Sequence, residues 1–144
     1  MIDKAFLSVK LDLIKKYAGD LEKVLQIPID EIKKNFVAVY AIERIFQLIV
    51  DEVIDINNHI ILRNKLEVPD DFQSTFLILA QNNVIGEAFA KRIAPVVGLR
   101  NILVHRYEKI DKDLFLSSVA KERDDFREYI KEMGKYVKSC FNEK

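Results

Sequence analysis

Arg100, His105 and Tyr107 stand at fixed offsets in GLRNILVHRYEKID (residues 98–111), a stretch otherwise built like a core helix by Leu99, Ile102, Leu103 and Val104. A permanent planar cation, an imidazole that titrates near neutral pH and a phenol are groups that can stabilise phosphate charge and move protons. On a straight helix Arg100 and Tyr107 lie about 20° apart, whereas His105 lies about 140° from Arg100. Such a helix does not aim Arg100 and His105 at one point. Either it ends before His105 or a second chain supplies the complementary group, and the expectation is a homodimer in which two copies of the stretch line one cleft. Taken alone, R-x4-H also describes cations solvating a helix end, where the helix dipole favours them.

The elements that must carry these groups are helical. The 144 residues hold only four glycines and three prolines, and no stretch alternates apolar and polar residues as a sheet strand would. A first helix is expected from about Asp3 to Leu25, ended by Pro28, and a long second one from an Asp30 cap to about Leu62, apolar on more than one face and therefore central. Val68-Pro69-Asp70 breaks the chain before a short helix from about Asp71 to Gln81. A fourth helix covers about Glu87 to His105 with a kink or restart at Pro95, where the proline ring removes a backbone donor. Asp111 or Asp113 caps the last helix, in which Phe115, Val119, Phe126, Tyr129, Met133 and Tyr136 recur at spacings of four and three, interrupted by Glu122. Phe72, Phe76 and Phe89 read as core. The expected fold is all-α, an antiparallel up-and-down four-helix bundle with an additional short helix, formed as one domain over residues 1–144.

Composition excludes several functions. The 23 basic and 23 acidic side chains cancel, so the chain has no global nucleic-acid-binding charge. Residues 91–109 concentrate Lys91, Arg92, Arg100, Arg106 and Lys109 against the single acid Glu108, a local +4. With His59, His105 and Cys140 the only soft ligands, a structural zinc site is short of members, and neither a metal nor a cofactor is expected. The glycines form no phosphate-cradling loop, dinucleotide fingerprint or nucleophile elbow. One cysteine and a first segment, MIDKAFLSVKLDLIKK, without an uninterrupted apolar run point to a cytoplasmic protein with no membrane span.

Arg100-Asn101, His105, Tyr107 and Ile110-Asp111 together resemble the signature of the HEPN superfamily, specifically its HepT-like branch, whose core is R-x4-H-x-Y. The resemblance extends through YAIERIFQLIVDEVIDINNHII (40–61) and PDDFQSTFLILAQNNVI (69–85), nearly the whole chain. It implies a HEPN-type bundle and a metal-independent endoribonuclease, the toxin of a type II toxin–antitoxin pair. RNA would be cut by attack of its 2′-hydroxyl, with Arg100 and His105 as the catalytic pair and a minimal nucleotidyltransferase as antitoxin partner. Asn101 would be a positioning group, and Tyr107 a phosphate donor or the residue that the partner modifies by adenylylation.

On the second helix Arg44, Asp51, Asp55, Asn58 and His59 share a wedge about 100° wide, by default a solvated face. The functional alternative makes Asp55 or Glu52 the residue that orients Arg100 or His105, a role HEPN domains often give to this helix. The competing reading is a non-catalytic HEPN module that binds nucleotide or serves as partner subunit of a nucleotidyltransferase. A purely structural dimeric bundle would leave the motif idle.

Overall fold

Three aspartate and asparagine side chains start the three long helices. In the structure, a computed structural model that describes residues 2–141, the Asp3 carboxylate accepts the Phe6 amide and opens α1 (Lys4–Val24). The Asn35 side-chain oxygen accepts the amides of Val37 and Ala38 at 3.1 and 3.2 Å and opens α3 (Phe36–Arg63). Asp111 accepts the Leu114 amide and opens α7 (Lys112–Cys140). Each cap satisfies donors that a helix start leaves without an intrahelical partner.

The second segment departs from the expectation of one helix capped by Asp30. Pro28 begins a five-residue helix α2 (Ile29–Lys33), the chain bends, and Asn35 starts the long helix afresh. The apolar spacing of Ile29 and Ile32 continues into the later pattern, which hides the break. The extended backbone of Asn35, φ −116°, is what makes it. Shorter helices follow, α4 (Thr75–Gln81), α5 (Glu87–Ile93) and α6 (Val96–His105). The restart falls at Pro95, as its missing N–H requires.

Cross-helix pairs set the directions. The Asp3 amide meets His59 and Lys10 meets Glu52 and Asp55, so α1 and α3 run antiparallel. Arg100 meets Asp51 and, just beyond α6, Tyr107 meets Glu43, while Arg92 meets Asp125 and the Gly86 amide meets Glu132, so α6 against α3 and α5 against α7 are again antiparallel. Phe46 packs on Phe115 and Phe126 while Asn64 reaches Tyr136, so α3 and α7 run the same way. The result is an up-and-down bundle of α1, α3, the broken pair α5–α6 and α7, with α2 and α4 as short additions. It is all-helical over the described residues. Its core is continuous: Phe46, Phe76, Phe115, Phe126 and Tyr129 are all essentially inaccessible to solvent. No helix among the described residues is long and apolar enough to cross a membrane.

Asn57, Thr75 and Tyr129 are polar groups at 0 % exposure, and they satisfy one another. The Tyr129 hydroxyl donates to Asn57 Oδ1 at 2.7 Å, Asn57 Nδ2 donates to Thr75 Oγ1 at 3.0 Å, and Thr75 Oγ1 donates to the Phe72 carbonyl at 2.6 Å. Buried polar groups are tolerated only when paired in this way.

Candidate active site

Helix α6 carries the reactive stretch, and α3 holds it in place from below. Leu103 faces inward and Leu99 packs partly against the core, which turns Arg100, Asn101 and His105 outward. The Arg100 guanidinium does not reach freely into solvent. Its Nε donates to Asp51 Oδ1 at 2.8 Å and its Nη1 to Asn101 Oδ1 at 3.1 Å, leaving Nη2 with no protein acceptor among the described residues. Two of the three guanidinium nitrogens are thus spent on positioning. His105, the last residue of α6, is exposed, and its ring makes no hydrogen bond among the described residues. Arg100, Asn101 and His105, with Phe72, Ile102 and Arg106, line an open cleft of about 550 Å³ that contains no carboxylate.

The residue that orients Arg100 is therefore Asp51, not Asp55 or Glu52. Those two belong to a different helix pair, because Lys10 of α1 bridges Glu52 and Asp55 at 2.9 Å each. The Lys10 ammonium is held above its ordinary pKa by the Glu52 hydrogen bond first and the Asp55 bond second. On an ideal helix Asp51 and Asp55 differ by about 40° in azimuth, enough to put one against α6 and the other against α1. Asp51 does stand in the polar wedge visible in the sequence. His59, in the same wedge, accepts the Asp3 amide at 2.9 Å and stacks on Phe6 at 4.5 Å, a structural role at the start of α1; its pKa is lowered chiefly by burial.

Tyr107 does not share the Arg100 face. The helix stops at His105, Arg106 turns the chain at φ −139°, ψ 45°, and residues Tyr107–Lys109 form a single 3-10 turn before Asp111 caps α7. The idealised 20° separation fails because the helix does not continue to Tyr107. Its ring instead reaches back to α3, where the hydroxyl lies 2.9 Å from both oxygens of Glu43, a carboxylate only 6 % exposed. Lys112 Nζ sits 5.4 Å over the same ring and 5.6 Å over Tyr40. Burial raises the Tyr107 pKa, Lys112 opposes that, and Glu43 adds to it, so the phenol keeps its proton at neutral pH. Glu43 and Asp51 are roughly 12 Å apart along α3, the first holding the tyrosine and the second the arginine.

Glu43 had no signal in the sequence beyond being an acid amid apolar residues. Phe72, read there as core, is 48 % exposed and forms a wall of the cleft. Among the described residues no three His, Cys, Asp or Glu side chains converge as metal ligands.

A family model described as Ribonuclease HepT-like matches residues 14–133, most of the chain. The chain belongs to the HepT-like ribonuclease family. It is 30% identical over 136 residues to the tRNA nuclease HepT of Aphanizomenon flos-aquae, covering 94% of this chain and 92% of that one. The mRNA nuclease HepT of Shewanella oneidensis is 32% identical over 100 residues, 69% of this chain and 75% of its own. Among solved structures, the tri-AMPylated Shewanella oneidensis HEPN toxin in complex with MNT antitoxin superposes with a TM-score of 0.81 at 28% identity, covering 93% and 98% of the two chains. The Bacillus subtilis cytosolic protein YutE superposes at 0.84 with 16% identity over 96% and 92%, a likeness of fold. Membership of this family makes the chain an RNA-cutting enzyme, and Arg100 and His105 both line the cleft on α6.

Proposed function

We propose that this HepT-like chain is the endoribonuclease toxin of a toxin–antitoxin pair, and that it cuts RNA without a metal at the α6 cleft. The observation that carries this reading is the division of labour around Arg100. Asp51 and Asn101 fix two of its nitrogens, so the remaining one is pre-aimed at an oxygen arriving in the cleft, and no carboxylate lining it competes with a phosphate. Preorganised donors of this kind stabilise charge that develops on a phosphorane without reorganising during the reaction. His105, unencumbered at the helix end, exchanges the proton. As base it takes the 2′-hydroxyl proton while that oxygen attacks phosphorus, and as acid it protonates the departing 5′-oxygen. One imidazole cannot do both in a single step. A homodimer that brings two copies of the cleft together supplies the second.

The same reading assigns Tyr107 to regulation. The HEPN toxin that this chain resembles is AMPylated and bound to an MNT antitoxin, and a minimal nucleotidyltransferase is proposed as the partner here. Transfer of AMP from ATP to the phenol oxygen forms a phosphodiester, releases pyrophosphate and removes the phenolic proton. The oxygen then has nothing to donate to Glu43, and the new negative charge stands beside that buried carboxylate. The modified ring must leave Glu43, and the turn that carries it moves away from α3. Inactivation thus works by displacement of the turn, not by attachment on the arginine's own face.

Cleavage of single-stranded RNA in EDTA tests the reading. The wild type is expected to cut, and Arg100→Ala and His105→Ala are each expected to lose at least about 100-fold in rate, on the order of what loss of one such donor does, while melting close to the wild-type temperature. Full activity of either variant in EDTA would remove the mechanism.

A further inference from the structure

Phe72 is a half-exposed aromatic side chain outside the core cluster, and its carbonyl accepts two hydrogen bonds from Thr75. It lies in the connection between α3 and α4, which runs beside α6: a Cβ added at Gly98 would sit 3.9 Å from the Gln73 side chain. The buried chain from Tyr129 through Asn57 to Thr75 ends on the Phe72 carbonyl, and that carbonyl also accepts the Thr75 amide at 3.3 Å. On the other flank the Asp71 carboxylate accepts the Ser74 amide at 2.7 Å and the Ser74 hydroxyl donates to the Asp71 carbonyl at 2.9 Å. A connection with no task would not need three wholly buried polar side chains to anchor it, since such groups are costly wherever their pairing is incomplete. What this anchoring presents to solvent is one ring, 48 % exposed, on the wall of the cleft that holds Arg100 and His105.

We propose that Phe72 is a stacking platform for a base of single-stranded RNA beside the scissile phosphate, a specificity-determining residue that makes the substrate an unpaired segment rather than a duplex. This rests on the ribonuclease reading of the cleft. Arg100 and Arg106 take the backbone, and the flat ring takes the face of a neighbouring base, which is available only where the base is not stacked within a helix. A phenylalanine has no hydrogen-bonding edge, so the platform accepts any base and contributes affinity and strandedness rather than sequence.

The chain contains no tryptophan, so Phe72→Trp introduces a single fluorophore at the proposed contact. It is placed on a His105→Ala background, which keeps the Arg100 donor while preventing cleavage. The probes are a fluorescein-labelled adenosine ribo-octamer, the same octamer with abasic central positions, and a blunt RNA duplex. Expected are strong quenching of the tryptophan by the single strand, little by the abasic strand or the duplex, and roughly ten- to 100-fold weaker binding by Phe72→Ala. Phe72→Tyr restores that affinity and Phe72→Leu does not, which separates stacking from mere bulk. If polarisation shows tight binding of the single strand and the tryptophan is unquenched, Phe72 is no platform and the ribonuclease reading stands. The platform is likewise overturned if Phe72→Ala halves the mass in solution and the tryptophan emission is blue-shifted without RNA, because a second copy then covers the ring. If the chain with Phe72 intact neither binds nor cuts any of the probes, the ribonuclease reading falls and takes the platform with it.

Discussion

Replacing Asp51 by asparagine keeps the shape of the group behind Arg100 and removes its charge. Two unit charges about 4 Å apart attract by about 4 kcal/mol at an effective dielectric of 20. Desolvation and solvent screening offset part of this, because the two side chains retain 19% and 33% of their exposure. The net worth of a hydrogen bond to a charged group is about 1.5–3 kcal/mol, and an arginine released from its anchor regains up to about 2 kcal/mol of rotamer entropy that must be given up again in the transition state. A loss of about 1.4–2 kcal/mol in transition-state stabilisation is therefore about ten- to 30-fold in kcat/KM, with stability lowered by less than about 1 kcal/mol. The decisive assay is a double-mutant cycle on RNA cleavage. If Asp51 acts through Arg100, adding Asp51→Asn to Arg100→Ala changes the rate by less than about twofold. A double variant slower than Arg100→Ala by the full ten- to 30-fold would refute the reasoning, because Asp51 would then act on the RNA or the fold independently of the arginine.

Tyr107→Phe should accept no AMP in an intact-mass measurement with ATP, magnesium and the nucleotidyltransferase partner; an adduct on both wild type and variant would place the modification elsewhere. The same substitution leaves Glu43 without its donor and should lower stability by about 1–2 kcal/mol, which denaturant titration reads. Glu122 interrupts the apolar seam of α7, and burial first, then the neighbouring Asp125 carboxylate, pushes its pKa up to about 8 from 4.5. The folded chain therefore binds this proton more tightly than the unfolded one, stability falls as pH rises from about 4.5 to about 8, and it is constant with respect to this group below that window. Glu122→Gln should remove this slope and stabilise by about 1–2 kcal/mol at pH 8.5 with little change at pH 4.5, discounted for the group's partial exposure; equal Tm shifts at both pH values would argue against it. Lys65, at φ 53° just beyond α3, occupies the left-handed region in a helix-ending turn where the Leu66 amide bonds back to Ile61 at 2.9 Å. Lys65→Gly should raise stability by about 0.5 kcal/mol, or roughly 1–2 °C in Tm, and a lowered Tm would show that the side chain itself contributes.

Much of what depends on neighbours along the chain is legible in the sequence of this protein, although the Asn35 cap, equally local, is hidden by apolar spacing that runs across it. Asp3 and Asp111 announce helix starts because a cap needs only a short acceptor three residues before its donor, and Pro95 announces a restart because a missing N–H is a local fact. The R-x4-H-x-Y string identifies the family for the same reason, since residue types at fixed offsets survive any packing. Tertiary structure decided which side chain each reactive group meets. Asp51 and Asp55 lie about 40° apart in azimuth on one helix, with Glu52 about 60° beyond Asp55, and only the arrival of α6 on one flank and α1 on the other assigns Asp51 to Arg100 and the other two to Lys10. Tyr107 left the arginine's face because a single backbone turn at Arg106 ended the helix, and its hydroxyl meets Glu43, 64 residues away along the chain. Phe72 looked like core because aromatic rings usually are, yet it is 48 % exposed: its carbonyl is held by Thr75, three residues on, and Thr75 is held in turn by Asn57 of α3, which Tyr129 of α7 meets only once the bundle has closed.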